Sequence, residues 1–245
     1  MKECSKSIAR RLADSNFTRR YFVGDGIDIG GKPDPLALYQ ELFCQMRSVR
    51  TWDWDDGDAQ IMAGVPDKQF DFVHSSHCLE HLLNPLAGIR AWLRVLRDGG
   101  HLIITVPDED LYEQGVFPST YNHDHKWTFT SFKPRSWSAQ SINVIDLVRD
   151  LGESTELVRL EQLSATYRFG LPRYDQTLSP VTESGIEFIV RKRYDWEVSD
   201  QGRWRRNNQQ PSHELKIHLN QYRDDLQTLK KNNEGQPPFT NDSDL

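Results

Sequence analysis

The sequence predicts an α/β fold built on a parallel, nucleotide-type sheet, and three observations carry that prediction. Gly26-Ile27-Asp28-Ile29-Gly30-Gly31 is a short apolar run that ends in an acid and two glycines, with a helical pattern starting at Leu36. Glycine lacks a Cβ, so the backbone can turn sharply there and approach a ligand. Phe70-Asp71-Phe72-Val73-His74-Ser75-Ser76 and His101-Leu102-Ile103-Ile104-Thr105-Val106-Pro107 are largely apolar runs, each followed by polar residues. Strands buried on both faces look like this where their carboxyl ends open on a crevice. The segments between them repeat apolar residues at three- and four-residue spacing, the helix period.

Composition narrows the classes. The chain has 245 residues, enough for one large domain with decorations. At 37% hydrophobic and 27% charged it is polar for a compact fold, so part of it lies outside the core. A net charge of −6 argues against a general nucleic-acid binder, which needs a basic face. Cys4, Cys44 and Cys78 are scattered and form no CxxC pair, so neither a zinc site nor a disulfide framework is indicated. A reducing, cytoplasmic setting is expected. No apolar run approaches a membrane span, and the charged start has no apolar stretch behind it, so no secretory leader is expected.

In order, residues 5–20 carry Ile8, Leu12 and Phe17 among Arg10, Arg11, Arg19 and Arg20, an amphipathic helix covering the domain, its arginines forming a solvated face or touching an anionic substrate. Leu36, Tyr39, Leu42, Phe43 and Met46 predict a helix over 35–46, with Pro35 in its first turn. Ser48 to Asp53 reads as a second strand ending in an acid. An acid about 20 residues past such a glycine turn accepts hydrogen bonds from ribose hydroxyls. The acidic turn Trp54 to Gln60 does not match a calcium loop, which needs a glutamate at its twelfth position. Asn84-Pro85 caps a helix whose buried stripe is Leu86, Ile89, Trp92, Leu93 and Leu96, ended by Gly99-Gly100. Residues 136–151 read as a helix, and 156–160 and 185–191 as the last strands. Residues 167–180 between them are an insertion, open to serving as a lid, a contact in a homodimer or a solvated loop. Past Asp195 the chain turns polar, with one helix over 212–231, on a stripe of Leu215, Ile217, Leu219, Tyr222 and Leu226, and a disordered end.

This order resembles a class I S-adenosylmethionine-dependent methyltransferase over residues 24–130. The residues that carry the resemblance are Ile27-Asp28-Ile29-Gly30-Gly31, Gly57-Asp58-Ala59, Phe70 to Val73 with Leu79-Glu80-His81, and Leu96 to Leu102. Gly30-Gly31-Lys32-Pro33 is similar to a bacterial branch that acts on sugars and other small polar metabolites. The resemblance implies a doubly wound, mostly parallel, Rossmann-like sheet of seven strands ending in an antiparallel hairpin. It implies a helical cover at 1–23, an S-adenosylmethionine-binding domain at 24–194 and a polar extension at 195–245. It also implies roles. Asp28, Gly30 and Gly31 lie along the methionine and ribose, and Asp53 holds the ribose hydroxyls with Asp55 as fallback. Asp58 and Ala59 face the adenine, and Ser76 and His77 border the methionine end. Lys32 and Asp34 stand where further glycines are usual, which leaves either a wider loop or lost cofactor binding.

Histidines crowd the expected acceptor side. His125 with Phe129-Thr130 resembles a His-x-x-x-Phe-Thr turn of this group. Methyl transfer is an in-line displacement, so the protein positions the nucleophile and, for a hydroxyl, takes its proton. A histidine suits that task at neutral pH. His125 is the first candidate base, then His123, then His81, with Asp124 or Asp108 orienting it. His77 and His81 have a spacing that can bind metal, and His123-Asp124-His125 could hold a divalent ion that binds a phosphate- or sugar-bearing substrate, but no metal is assigned. The reading is O-methylation of a small-molecule acceptor such as a sugar or nucleotide-sugar, with no nucleic-acid or membrane partner. N-methylation of an amine, or a degenerate binding or scaffold protein, are the alternatives.

Overall fold

The computed structural model describes residues 3–199 and, further along, 212–214, 217–218, 223–227 and 230. The chain divides into two compact units, Met1–Arg203 and Trp204–Leu245. In the second unit the described residues 213–214, 217–218, 223–227 and 230 are helical, and Ile217 and Leu226 are exposed. Leu215, Leu219, Tyr222 and the stretch expected to be disordered lie outside the described residues.

The main sheet has strand order β2-β1-β3-β4-β8-β7. Its strands are β1 (Gly24–Ile29), β2 (Met46–Trp52), β3 (Phe70–Ser76), β4 (Leu96–Pro107), β7 (Thr155–Leu163) and β8 (Gly185–Lys192). The pairs β1–β2, β1–β3 and β3–β4 are parallel; β4–β8 and β7–β8 are antiparallel. This is the expected Rossmann-like sheet with its terminal hairpin, but with six strands rather than seven. Between β2 and β3 the chain forms turns, and Met62 and Val65 plug into the core instead of adding an edge strand. That leaves β2 as the edge, where Arg47 and Arg50 discourage pairing with another chain. A separate two-stranded sheet joins β5 (Thr128–Thr130) to β6 (Ser141–Asn143).

Helices cover both faces. On one, α2 (Pro85–Val95) and α3 (Val144–Arg149) bury Ile89, Trp92, Leu93, Leu147 and Val148 against the sheet. The Asn84 side chain accepts from the Ala87 N–H at 3.0 Å, the predicted cap. On the other face, α1 (Glu3–Ala13) and a π-type turn at Phe17–Tyr21 pack Cys4, Ile8, Phe17 and Phe22 against Phe72, Ile103 and Ile189. That placement explains a miss. The segment after β1 is only a 3₁₀ stretch, Leu36–Leu42, whose single buried residue is Leu36. With α1 already on this face, the crossover has little sheet left to cover.

The arginines of α1 also depart from expectation. Arg11 is 1% exposed, and its guanidinium donates to Glu187 Oε2 at 2.8 Å. Arg10 reaches Glu187 Oε1 at 2.8 Å as well. Removal from water would raise the Glu187 pKa, but the two guanidiniums outweigh it and hold it at about 2. The predicted helix over 136–151 is also shorter. Ser136 and Ser141 both donate to the buried Glu109 carboxylate at 2.6 Å, which holds this stretch in bends and a turn. The helix starts only after Asn143, whose side chain caps it.

Candidate active site

The carboxyl ends of β1, β2 and β3 open into a cavity of about 960 Å³, within unit Met1–Arg203. Asp28, Gly30, Gly31, Asp53, Asp58, Ala59, Ser76, His77, His81 and His125 all line it. His123 does not: it is exposed on the loop outside the lining.

At the β1–β2 end the acids are engaged by the chain itself. Asp28 is buried; its Oδ1 lies 2.6 Å from His74 Nδ1, and its Oδ2 accepts from the Leu36 N–H at 2.7 Å. His74 Nε2 lies 3.0 Å from Arg11 Nη1. Arginine only donates, so His74 must accept at Nε2 and carry its hydrogen on Nδ1. A buried chain therefore runs from Leu36 through Asp28, His74 and Arg11 to Glu187, tying the glycine turn to α1 and the sheet. Gly30 has φ +73°, and a Cβ there would sit 2.7 Å from Cys78 Cβ. A Cβ on Gly31 would sit 2.4 Å from Asp28 Oδ2. Glycine is required at both positions by the loop's own packing.

Asp53 follows β2 and caps the next turn: Oδ1 accepts from Trp54 N–H at 2.9 Å and Oδ2 from Lys32 N–H at 2.8 Å. Lys32, at the position where another glycine was expected, thus closes its loop onto Asp53 through the backbone. Its Nζ pairs with Asp55 at 2.7 Å, and that carboxylate is 86% exposed. Asp58 accepts from Gln60 N–H at 2.8 Å. Among the lining residues at this end, the buried side-chain atom left without a partner is Trp52 Nε1.

The other end is built by two segments far apart in sequence. The turn Leu79–His81 follows β3, and the loop 122–127 is stitched onto it. Lys126 N–H donates to Glu80 O at 2.9 Å, Lys126 Nζ to His81 O at 2.6 Å and Trp127 Nε1 to Leu82 O at 3.0 Å. His125 thereby comes beside His81, with ring centroids 5.0 Å apart. Its Nδ1 lies 2.8 Å from Glu113 Oε1. His81 Nδ1 lies 3.2 Å from the Asp124 carbonyl oxygen.

Glu80 sits between the rings. It is fully buried, and neither carboxylate oxygen has a hydrogen-bond partner. Its Oε1 lies 3.4 Å from His77 Nδ1, an ion-pair contact without hydrogen-bond alignment, 3.8 Å from His125 Nε2 and 3.9 Å from His81 Nε2. Burial would raise the Glu80 pKa, but His77 and the other imidazoles hold it below the ordinary value. Burial would lower that of His77, but Glu80 and Glu3 raise it above the usual histidine range. Glu80, His81 and His125 form a group able to hold a metal ion. Tyr112, whose hydroxyl has no partner, also lines this end.

Sequence reasoning missed Glu80, Tyr112 and Glu113 as site residues. The available signal was a lone acid, Glu80, flanked by His77 and His81 just past a strand's carboxyl end.

Fold and cavity together define a nucleotide-type α/β enzyme site at the carboxyl ends of parallel strands. Residues 6–150 match the model of a methyltransferase domain family, and the chain belongs to that family. It is a methyltransferase, and S-adenosylmethionine is the expected cofactor. The chain is also similar to several solved structures. A proposed methyltransferase of Bacillus halodurans is 16% identical, with 75% of this chain and 99% of that one covered at TM-score 0.47. An S-adenosylmethionine-dependent methyltransferase of Thermotoga maritima is 17% identical, covering 79% and 100% at TM-score 0.44. One of Archaeoglobus fulgidus is 16% identical, covering 79% and 95% at TM-score 0.43. No curated protein matches the sequence.

The lining fits the expected cofactor. Small-molecule sites run to roughly 300–1,000 Å³, so a cavity of about 960 Å³ has room for a nucleoside and an acceptor together. The unpaired Trp52 indole N–H, with the Asp53 and Asp58 carboxylates in the same lining, offers a nucleoside both a donor and acceptors. No helix among the described residues is long and apolar enough to cross a membrane.

Proposed function

We propose that the chain methylates a hydroxyl of a small polar metabolite, with sugars and nucleotide-sugars as the acceptor class. The observation that carries this reading is the buried Glu80 carboxylate facing the Nε2 atoms of His81 and His125 inside the cavity. A hydroxyl must lose a proton to become a good nucleophile, whereas a neutral amine needs no base. Electron-pair donors gathered at one end of the cavity serve the first acceptor.

When bound, S-adenosylmethionine supplies a methyl carbon on a sulfonium sulfur; the acceptor oxygen bonds to that carbon as the carbon–sulfur bond breaks and sulfur keeps the electron pair. The chain's residues do the rest. Gly30 and Gly31 leave the turn open beside the methionine and ribose, and Asp53 accepts from ribose hydroxyls with its remaining lone pairs. Asp58 and Ala59 border the adenine, and Ser76 and His77 the methionine end. Asp28 acts behind this surface, since both its oxygens hold the turn in place. His125 receives the acceptor proton on Nε2, because Glu113 keeps the hydrogen of Nδ1. The Tyr112 hydroxyl is free to bind the acceptor. All three thiols are free, which supports a reducing, cytoplasmic setting.

The test pairs sugar and nucleotide-sugar acceptors that differ only in carrying a hydroxyl or an amine at one carbon. Mass spectrometry and NMR then locate the methyl group; a product methylated on nitrogen overturns the reading. His125→Ala should lower turnover roughly a hundredfold, within the range for a lost general base, while calorimetry finds cofactor affinity unchanged.

A further inference from the structure

One base would be enough for the reaction above, yet the site gathers three electron-pair donors around a single point. Glu80 is fully buried with two unpartnered oxygens. One donor atom each from Glu80, His81 and His125 lie within 4.8 Å of one another. The hydrogen bonds behind the rings fix which atoms point inward. The Asp124 carbonyl can only accept, so His81 carries its hydrogen on Nδ1. The Glu113 carboxylate does the same for His125. Each ring then turns its Nε2 toward the Glu80 carboxylate. A buried carboxylate without a hydrogen bond calls for positive charge beside it, and a cation held among these three atoms supplies it. A ligating histidine whose other nitrogen is held by a carboxylate or a backbone carbonyl is the usual outer layer of a metal site.

We propose that Glu80, His81 and His125 bind a divalent transition cation at the acceptor end of the cavity. Two imidazoles and one carboxylate suit a first-row ion better than calcium or magnesium, which prefer all-oxygen sets. Ligand atoms about 2.1 Å from an ion lie about 3.0–3.4 Å apart, so atoms now 3.8 and 3.9 Å from Glu80 Oε1, and within 4.8 Å of one another, close by up to about 1.8 Å when an ion binds. Three protein ligands leave coordination positions open toward the cavity. Resting on the oxygen-acceptor reading, the inference also narrows the substrate: two adjacent oxygens, as in a vicinal diol, can chelate the ion. The ion then takes over the task assigned to His125. It binds the acceptor oxygen, the O–H bond breaks, and the proton passes to solvent.

The test uses the full chain, stripped with chelator, dialysed and titrated with Mn²⁺ alone. Binding is followed by loss of the free-ion electron paramagnetic resonance signal. The site predicts about one Mn²⁺ per chain, with nitrogen couplings from two imidazoles in the pulsed spectrum, and binding lost in Glu80→Gln. His81→Gln, at the more exposed ligand, gives the same readout if the Glu80 variant fails to fold. No binding, or binding unchanged in the folded variants, overturns the proposal. Full O-methyl transfer in chelator also overturns it while leaving the oxygen-acceptor reading intact. Specific Mn²⁺ binding with the methyl found on nitrogen upholds the site and sinks that reading instead.

Discussion

The two ends of the cavity are built on opposite rules. At the β1–β2 end, Asp28 and Asp53 have both oxygens engaged by the chain's own donors. At the other end neither Glu80 oxygen accepts a hydrogen bond, its nearest partner being the His77 ring in ion-pair contact, and the Tyr112 hydroxyl has no partner. Paired carboxylates shape a surface in advance, so a ligand meets a finished wall. Unpaired buried groups cost stability until something arrives to complete them. The contrast therefore separates residues that hold the site from residues that act in it, and mutation can test it from both sides.

The largest effect should come from the holding side. Glu187→Gln leaves the buried Arg11 guanidinium without its counter-charge, which costs about 3–5 kcal/mol when a buried pair is broken. Urea denaturation at pH 7 measures it. Acid supplies a second check. Glu187 has a folded-state pKa of about 2, below its unfolded value, so its contribution is complete above about pH 4.5 and is lost as pH falls toward 2. The variant should show a flatter stability curve across that window. If both proteins lose stability equally there, the Asp28–His74–Arg11–Glu187 chain is not what stiffens this end.

Glu80→Gln tests the acting side and should give the reverse pattern. His77, unlike the Arg11 guanidinium, can give up its proton when the Glu80 charge is removed, so the amide should cost less stability than Glu187→Gln does. Turnover should fall about a hundredfold, or roughly 2.7 kcal/mol in the barrier. A large loss of stability with turnover preserved would make Glu80 structural and erase the contrast.

The sequence exposed these ends unequally. The β1 turn, the β3 run and the Asn84-Pro85 cap are local signals, each carried by a few consecutive residues, and each lies where its pattern put it. The 3₁₀ stretch after β1 was not legible, because its helical spacing was overridden by α1, which occupies the same face from a distant part of the chain. The missing seventh strand has a similar cause: Met62 and Val65 are drawn into the core from a stretch with no strand period. At the acting end, His125 could be singled out by residue type, but not its meeting with Glu80. That meeting depends on Lys126 and Trp127 bonding to the backbone of residues 80–82, a long-range fit that no local pattern encodes. His123, two positions away, has the same chemistry and lies outside the cavity.

The smallest effect separates two neighbouring acids of the holding side. Asp53 is only partly exposed and positioned by two backbone N–H groups, so its free lone pairs have a fixed direction. Asp53→Ala removes both the turn's cap and a charged acceptor for the ribose, and should weaken S-adenosylmethionine binding by about 1–2 kcal/mol. Asp55 is exposed and paired with Lys32 across solvent-screened surface. Asp55→Ala should leave calorimetric affinity nearly unchanged. The reverse ranking would mean that the cofactor reads the freely moving acid and not the anchored one. Pre-paired groups would then no longer mark the cofactor's wall.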